Sequence, residues 1–150
     1  MTRQRRIHDK PLLYRRAVVS GSLTLRPSTT AAIRAGRVRK GDPVAAAELA
    51  GLLAMKRTPE LIPHCHPVPL TGGRVDVTVR GRTARVVVEA EAVYRTGVEM
   101  EALVGATVAL LTVWDMVKYL EKDAAGGYPE TRLGPVVVVT KEKRRSPSKR

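Results

Sequence analysis

Three stretches of this 150-residue chain hold reactive side chains in patterns that a purely structural account strains to explain. In the first, Leu61-Ile62-Pro63-His64-Cys65-His66-Pro67, two of the three histidines flank the only cysteine, and prolines bracket all three. Proline fixes its backbone angle and removes a donor, so this peptide has few conformations, as a preorganised site needs. A proline-rich turn with surface histidines accounts for the same residues equally well. In an extended peptide His64 and His66 point the same way and could share a metal, but zinc usually takes a third protein ligand. The remaining histidine, His8, lies in a terminal segment, and no metal is expected. The second stretch, Thr96-Gly97-Val98-Glu99-Met100-Glu101-Ala102, opens a long helix, whose first turn offers free N–H groups and a positive dipole end. Gly97 would let a ligand approach the backbone. The competing reading is ordinary capping, with Thr96 and Glu99 as a capping box. The third stretch is Trp114-Asp115-Met116-Val117-Lys118, late in the same helix. Asp115 and Lys118 face one side, after an almost wholly apolar run from Val104 to Val113. Partial burial there would shift both pKa values while each keeps the other ionised. A surface ion pair at this spacing is the common alternative.

Glu101 and Asp115 fall on similar helix faces but are fourteen residues apart, about 21 Å along the axis. One helix cannot bring both to one reacting atom. Either the site is extended, or different subunits supply its parts, as a symmetric oligomer would allow.

The elements that must carry these residues follow from pattern. Ala17 to Leu25 reads as a strand interrupted by Gly21. A short helix starts after Ser28 or Thr29 as N-cap and ends at Gly36. Asp42-Pro43 starts a second helix, over 43–56, apolar on nearly every side and therefore central or covered by a partner subunit. Residues 57–73 form an irregular connection. Arg74–Arg80 and Thr83–Tyr94 form a hairpin about Gly81-Arg82. Glu99 to about Glu121 is one long helix, and Val136–Thr140 a final strand buried on both faces. Less one helix, this order is the βαββαβ plan of an α+β, ferredoxin-like fold, with an antiparallel sheet and helices on one face.

Composition bounds the rest. The length is that of one domain. With no Phe and one Trp, the core must be built from Val, Leu, Ala and Ile. A lone cysteine fits a reducing cytoplasm. No secretory signal stands out, and no apolar run approaches a membrane span. The formal charge of +13 attracts polyanions, whether nucleic acid or a phosphorylated small molecule. Much of it sits in a basic tail over 1–13 (Arg3, Arg5, Arg6, Lys10) and at the C-terminal end (Lys141, Lys143, Arg144, Arg145, Lys149, Arg150), read as solvated ends around a domain spanning 14–141, the C-terminal tail being 142–150. A basic RNA-binding ferredoxin-like module is the rival reading. Such sheets stack bases on strand aromatics, and here the strands offer only Tyr94, so nucleic acid is not the expected partner.

Taken together, Lys40-Gly41-Asp42-Pro43, Ala54-Met55-Lys56-Arg57-Thr58-Pro59-Glu60 running on through the His64-Cys65-His66 peptide, Thr96 to Leu103, and Leu111 to Lys118 resemble the cyclic pyranopterin monophosphate synthase family in order and spacing. The likeness runs from about Tyr14 to Lys141, and Lys122-Asp123 with Gly127-Tyr128-Pro129 resembles its archaeal branch. The resemblance implies a ferredoxin-like subunit assembled as a homohexamer, a trimer of dimers with active sites at dimer interfaces. It implies a lyase of molybdenum cofactor biosynthesis that rearranges a cyclised dihydroguanosine triphosphate into a pterin carrying a cyclic phosphate. Diphosphate is released, and no redox cofactor is required. By position, Asp115, Lys118 and Lys40 match catalytic residues. His64, Cys65, His66, Glu99, Met100, Glu101 and Lys141 match substrate-contacting ones. The chain departs from the family in having Arg95 where a lysine is usual and His64 where an apolar residue is usual. It lacks the Gly/Lys/Ser-rich tail of bacterial members, and keeps their opening Met-Val-Asp only faintly as Ile7-His8-Asp9.

Overall fold

The computed structural model describes residues 2–145. β1 (Leu13–Thr24) leads to helices α1 (Pro27–Arg34), α2 (Pro43–Lys56) and the single-turn α3 (Thr58–Leu61). The hairpin β2 (Gly72–Arg80) and β3 (Thr83–Tyr94) follows, then α4 (Glu99–Glu121), β4 (Arg132–Leu133) and β5 (Val137–Arg144). All pairings are antiparallel, in the order β2-β3-β1, with β4 and β5 sharing the far edge of β1. If β4 and β5 are counted as one broken strand, this is the expected ferredoxin-like sheet.

Period-2 alternation sends Ala17, Val19 and Leu23 of β1, Val75 and Val77 of β2, and Ala84, Val86, Val88, Ala90 and Ala92 of β3 to one face. There they meet Ala102, Ala106, Ala109, Leu110, Val113 and Val117 of α4. The small residues let α4 lie close to the sheet. Gly21 does not interrupt β1, because its missing side chain admits the helix: a Cβ there would come within 3.0 Å of Leu110 Cδ1 and Val136 Cγ2. α2 crosses α4 at Gly51 and Gly105, where a Cβ on Gly105 would strike Met55 Cγ at 2.6 Å.

Asp42 caps α2 as expected, its Oδ1 accepting from the backbone N–H groups of Val44 (2.9 Å) and Ala45 (3.2 Å). Four other expectations are corrected. α1 begins at least two residues earlier, at Pro27 with Arg26 as N-cap, because the Arg26 N–H is held at 3.0 Å by the fully buried Glu121, which also accepts from the Thr131 hydroxyl. The Thr96–Glu99 capping box does not form: Val98 is the N-cap, and the Glu99 carboxylate turns instead to Lys141. The last strand is not buried on both faces. β5 is exposed along its length, pairs with β1, and takes up Lys141, Lys143 and Arg144, which are therefore strand residues rather than loose tail. Lys149 and Arg150 lie outside the described residues. Finally, α4 does have the length and hydropathy of a membrane span. Half of that stretch is buried against the sheet and α2, as in the core helix of a globular fold.

β1 also begins earlier than its pattern suggested, which adds Tyr14 to the strand aromatics. Its ring lies under the Arg144 guanidinium, 4.1 Å from the centroid, and the neighbouring Arg16 is paired with Glu89 and Glu142.

Candidate active site

The polar residues singled out by sequence fall into two groups, one at each end of α4. At the late end, Asp115 projects into solvent between two ammonium groups. Its Oδ2 accepts from Lys40 Nζ at 2.8 Å and its Oδ1 pairs with Lys118 Nζ at 2.8 Å, while Lys40 also donates to the Asp115 carbonyl oxygen at 3.0 Å. Lys118 is in place because three residues bring the helix almost once around. Lys40 comes from 75 residues away, in the turn just ahead of the Asp42 cap that starts α2. The two lysines, Lys118 first, lower the Asp115 pKa to about 2, and Asp115 in turn raises that of Lys118. Asp115 and Lys118 are therefore both charged at neutral pH. Tyr128, to which sequence reasoning gave no role, stands beside them. Its ring meets Trp114 edge to face, with centroids 5.6 Å apart. Its only sequence signal was the Gly127-Tyr128-Pro129 signature.

At the early end, His64, Cys65 and His66 form one wall of a cleft of about 190 Å³, and Thr96, Gly97, Glu99, Met100 and Glu101 form the other. α3 delivers the first wall through a turn in which Cys65 N–H donates to the Ile62 carbonyl oxygen at 2.9 Å. The backbone at Gly97 is not open to a ligand as expected, because the Glu99 carboxylate folds back over it, where a Cβ would collide with Oε2. Burial pushes the Glu99 pKa up, but the ion pair with Lys141 outweighs it and the group stays ionised. Glu101 behaves oppositely. It is 3% exposed, and burial first, with the Glu99 charge second, raises its pKa. Burial and the Glu101 charge likewise raise the Cys65 thiol. Among the described residues, no three His, Cys, Asp or Glu side chains cluster closely enough to hold a metal ion.

The structure thus unites six of the expected residues in the cleft, with Lys141 tied to them through Glu99, and three in the Lys40–Asp115–Lys118 cluster. It does not join the two groups within one chain. Between them the same face of α4 presents Met100, Leu103, Val104, Thr107 and Val108, which with Leu61 and Ile62 line an apolar groove of about 290 Å³, followed by the exposed Leu111.

The chain is similar to known proteins over nearly its whole length. The MoaC family pattern matches residues 5–143. A probable cyclic pyranopterin monophosphate synthase of Thermococcus kodakarensis is 51% identical over 137 residues, covering 91% of this chain and 88% of its own. One of Pyrococcus abyssi is likewise 51% identical over 137 residues, with 91% and 86% covered. Another, of Sulfurisphaera tokodaii, is 47% identical over 137 residues, with 91% of each chain covered.

Proposed function

This chain belongs to the MoaC family, and from that premise we propose that the two ends of α4 form the active site of a cyclic pyranopterin monophosphate synthase, an enzyme of molybdenum cofactor biosynthesis. The substrate is a cyclised dihydroguanosine triphosphate, and the products are a pterin with a cyclic phosphate and diphosphate. The observation that carries the reading is the Asp115 carboxylate with a lysine on each oxygen.

The chemistry needs two things. Ring opening and reclosure need proton transfers by positioned groups. Attack of a substrate hydroxyl on the innermost phosphate, with diphosphate leaving, needs cations where negative charge develops. Lys118 enters protonated, because Asp115 raises its pKa. Its first act is therefore to donate a proton, after which it can take one back. Asp115 stays ionised throughout and aims both lysines. Lys40 and Arg57 offset phosphate charge. In the cleft, His66, His64, Cys65, Met100 and Glu101 orient the heterocycle, and the Glu99–Lys141 pair fixes the cleft's outer side.

A site split over one helix needs a second copy of the chain. Val108 lies midway between Glu101 and Asp115. A two-fold axis near it, with two α4 helices antiparallel over the groove of Met100, Val104 and Val108, would set the early end of each against the late end of the other. The pairing would bury Leu111 as well. We take the assembly to be a homohexamer of three such dimers, working in the cytoplasm.

The test is direct. The purified protein is incubated with the cyclised guanosine triphosphate, and diphosphate and an oxidisable pterin are assayed. Both should appear with wild type and neither with Asp115→Ala. A folded, oligomeric wild type that makes neither would overturn the reading.

A further inference from the structure

The basic segment ahead of β1 runs across the cleft rather than away from it. Its two attachment points are on the two cleft walls. Gln4 Nε2 donates to the carbonyl oxygen of Cys65 at 2.9 Å and to that of His64 at 3.4 Å. Farther along, a turn closed by Lys10 N–H on the Ile7 carbonyl oxygen (3.1 Å) presents its carbonyls to Arg95. The Arg95 guanidinium donates to the His8 carbonyl oxygen at 2.7 Å and also to that of Lys10. Arg95 immediately precedes Thr96 and Gly97 of the opposite wall, and its own carbonyl oxygen accepts from Arg15 at 3.4 Å. The loop held by Gln4 lies between Pro63 and Pro67, neither of which has an N–H to donate. A tie from outside the loop therefore matters more than it would in a regular turn.

We propose that Gln4 and Arg95 are positioning residues that use the N-terminal segment as a strap, holding the His64–Cys65–His66 loop in register with the start of α4. Both bonds come from one guanidinium nitrogen, Nη1, whose two N–H groups serve two carbonyl oxygens at once. Gln4 is flanked in the strap by Arg3, Arg5 and Arg6, charge that would draw a polyphosphate substrate. The role in turnover rests on the function proposed above; the tie itself does not.

The tie can be read without turnover. Cys65 is the chain's one thiol and sits in the loop, so its alkylation by iodoacetamide reports how firmly the loop is held. Alkylation should be about threefold to tenfold faster in Gln4→Ala, in Gln4→Glu (similar length, no donor at neutral pH) and in a chain lacking residues 2–6, the scale of one or two lost hydrogen bonds. Arg95→Ala should behave alike, and Arg95→Lys should recover part of the protection. In turnover, the Gln4 variants should raise KM by about the same factor with kcat changed less than about twofold. Alkylation at the wild-type rate in both Gln4→Ala and the truncated chain would overturn the strap. An inactive wild type would overturn the functional reading alone, since the alkylation comparison stands without it.

Discussion

At the late end of α4 a carboxylate stands in solvent with an ammonium group on each oxygen; at the early end another is 3% exposed, beside Cys65 and Glu99. The first, Asp115, has its pKa pulled to about 2, and the second, Glu101, has its pKa raised. One helix therefore carries a fixed charge at one end and a group nearer to exchanging its proton at the other. The cause is neighbours, since both are carboxylates. Asp115 can be exposed because its partners hold it, whereas Glu101 is enclosed by the loop that the prolines stiffen. On the proposed function, charge that meets a triphosphate would sit at the open end, and groups that grip a heterocycle in the cleft.

The difference can be broken from either side. The largest effect should come from Lys118→Ala, which removes the proposed proton donor: turnover should fall by about 10²–10⁴-fold. Thermal stability should hardly move, because exposed ion pairs contribute little to folding. A variant that turns over normally would remove the catalytic meaning of the late end.

Glu101→Gln comes next, with turnover down by about 10²-fold and an opposite signature in stability. The folded pKa of Glu101 lies above its unfolded value. Its contribution to stability is therefore fully present below the unfolded pKa and is lost as pH rises through the raised, folded one. Titrated upward through that window, wild type should lose stability that Glu101→Gln keeps. At neutral pH the variant should melt higher by roughly 2–4 °C, the shift that about 1 kcal/mol produces in a domain of this size. Parallel pH–melting curves for the two proteins would show the early end to be no different from the late one.

The smallest effect sharpens the comparison. Asp115→Asn removes the charge that raises the Lys118 pKa. If Lys118 must be protonated to act, the alkaline limb of the kcat/KM profile should move to lower pH. An unmoved limb would assign that titration to another group.

Local signals carried much of this architecture in the sequence. The bounds of α4, the Gly81-Arg82 hairpin and the Asp42 cap each depend on residues a few positions apart, and the structure keeps them. What was not legible depends on distant partners. Four successive valines read as a buried strand, but β5 is an edge strand and its side chains stay exposed. Thr96 and Glu99 spell a capping box that Lys141 breaks by taking the carboxylate. Gly21 looks like an interruption until Leu110 is seen over it. The candidate site residues were visible as types and motifs, while the Lys40–Asp115 contact, the burial of Glu101 and the place of Tyr128 were not. Each of those depends on how α2, α3 and the loop after α4 pack around one helix.

In the proposed dimer each site takes its cleft from one chain and its Asp115 cluster from another. Chains carrying Asp115→Ala and chains carrying Glu101→Gln, differently tagged, are co-expressed, and the assemblies bearing both tags are isolated and assayed. In a mixed dimer one site would be intact and the other doubly altered, and random pairing makes about half the dimers mixed, so activity should return to about a quarter of the wild-type value. Mixed assemblies as inactive as either parent would contradict the shared site and confine the chemistry to one end of α4.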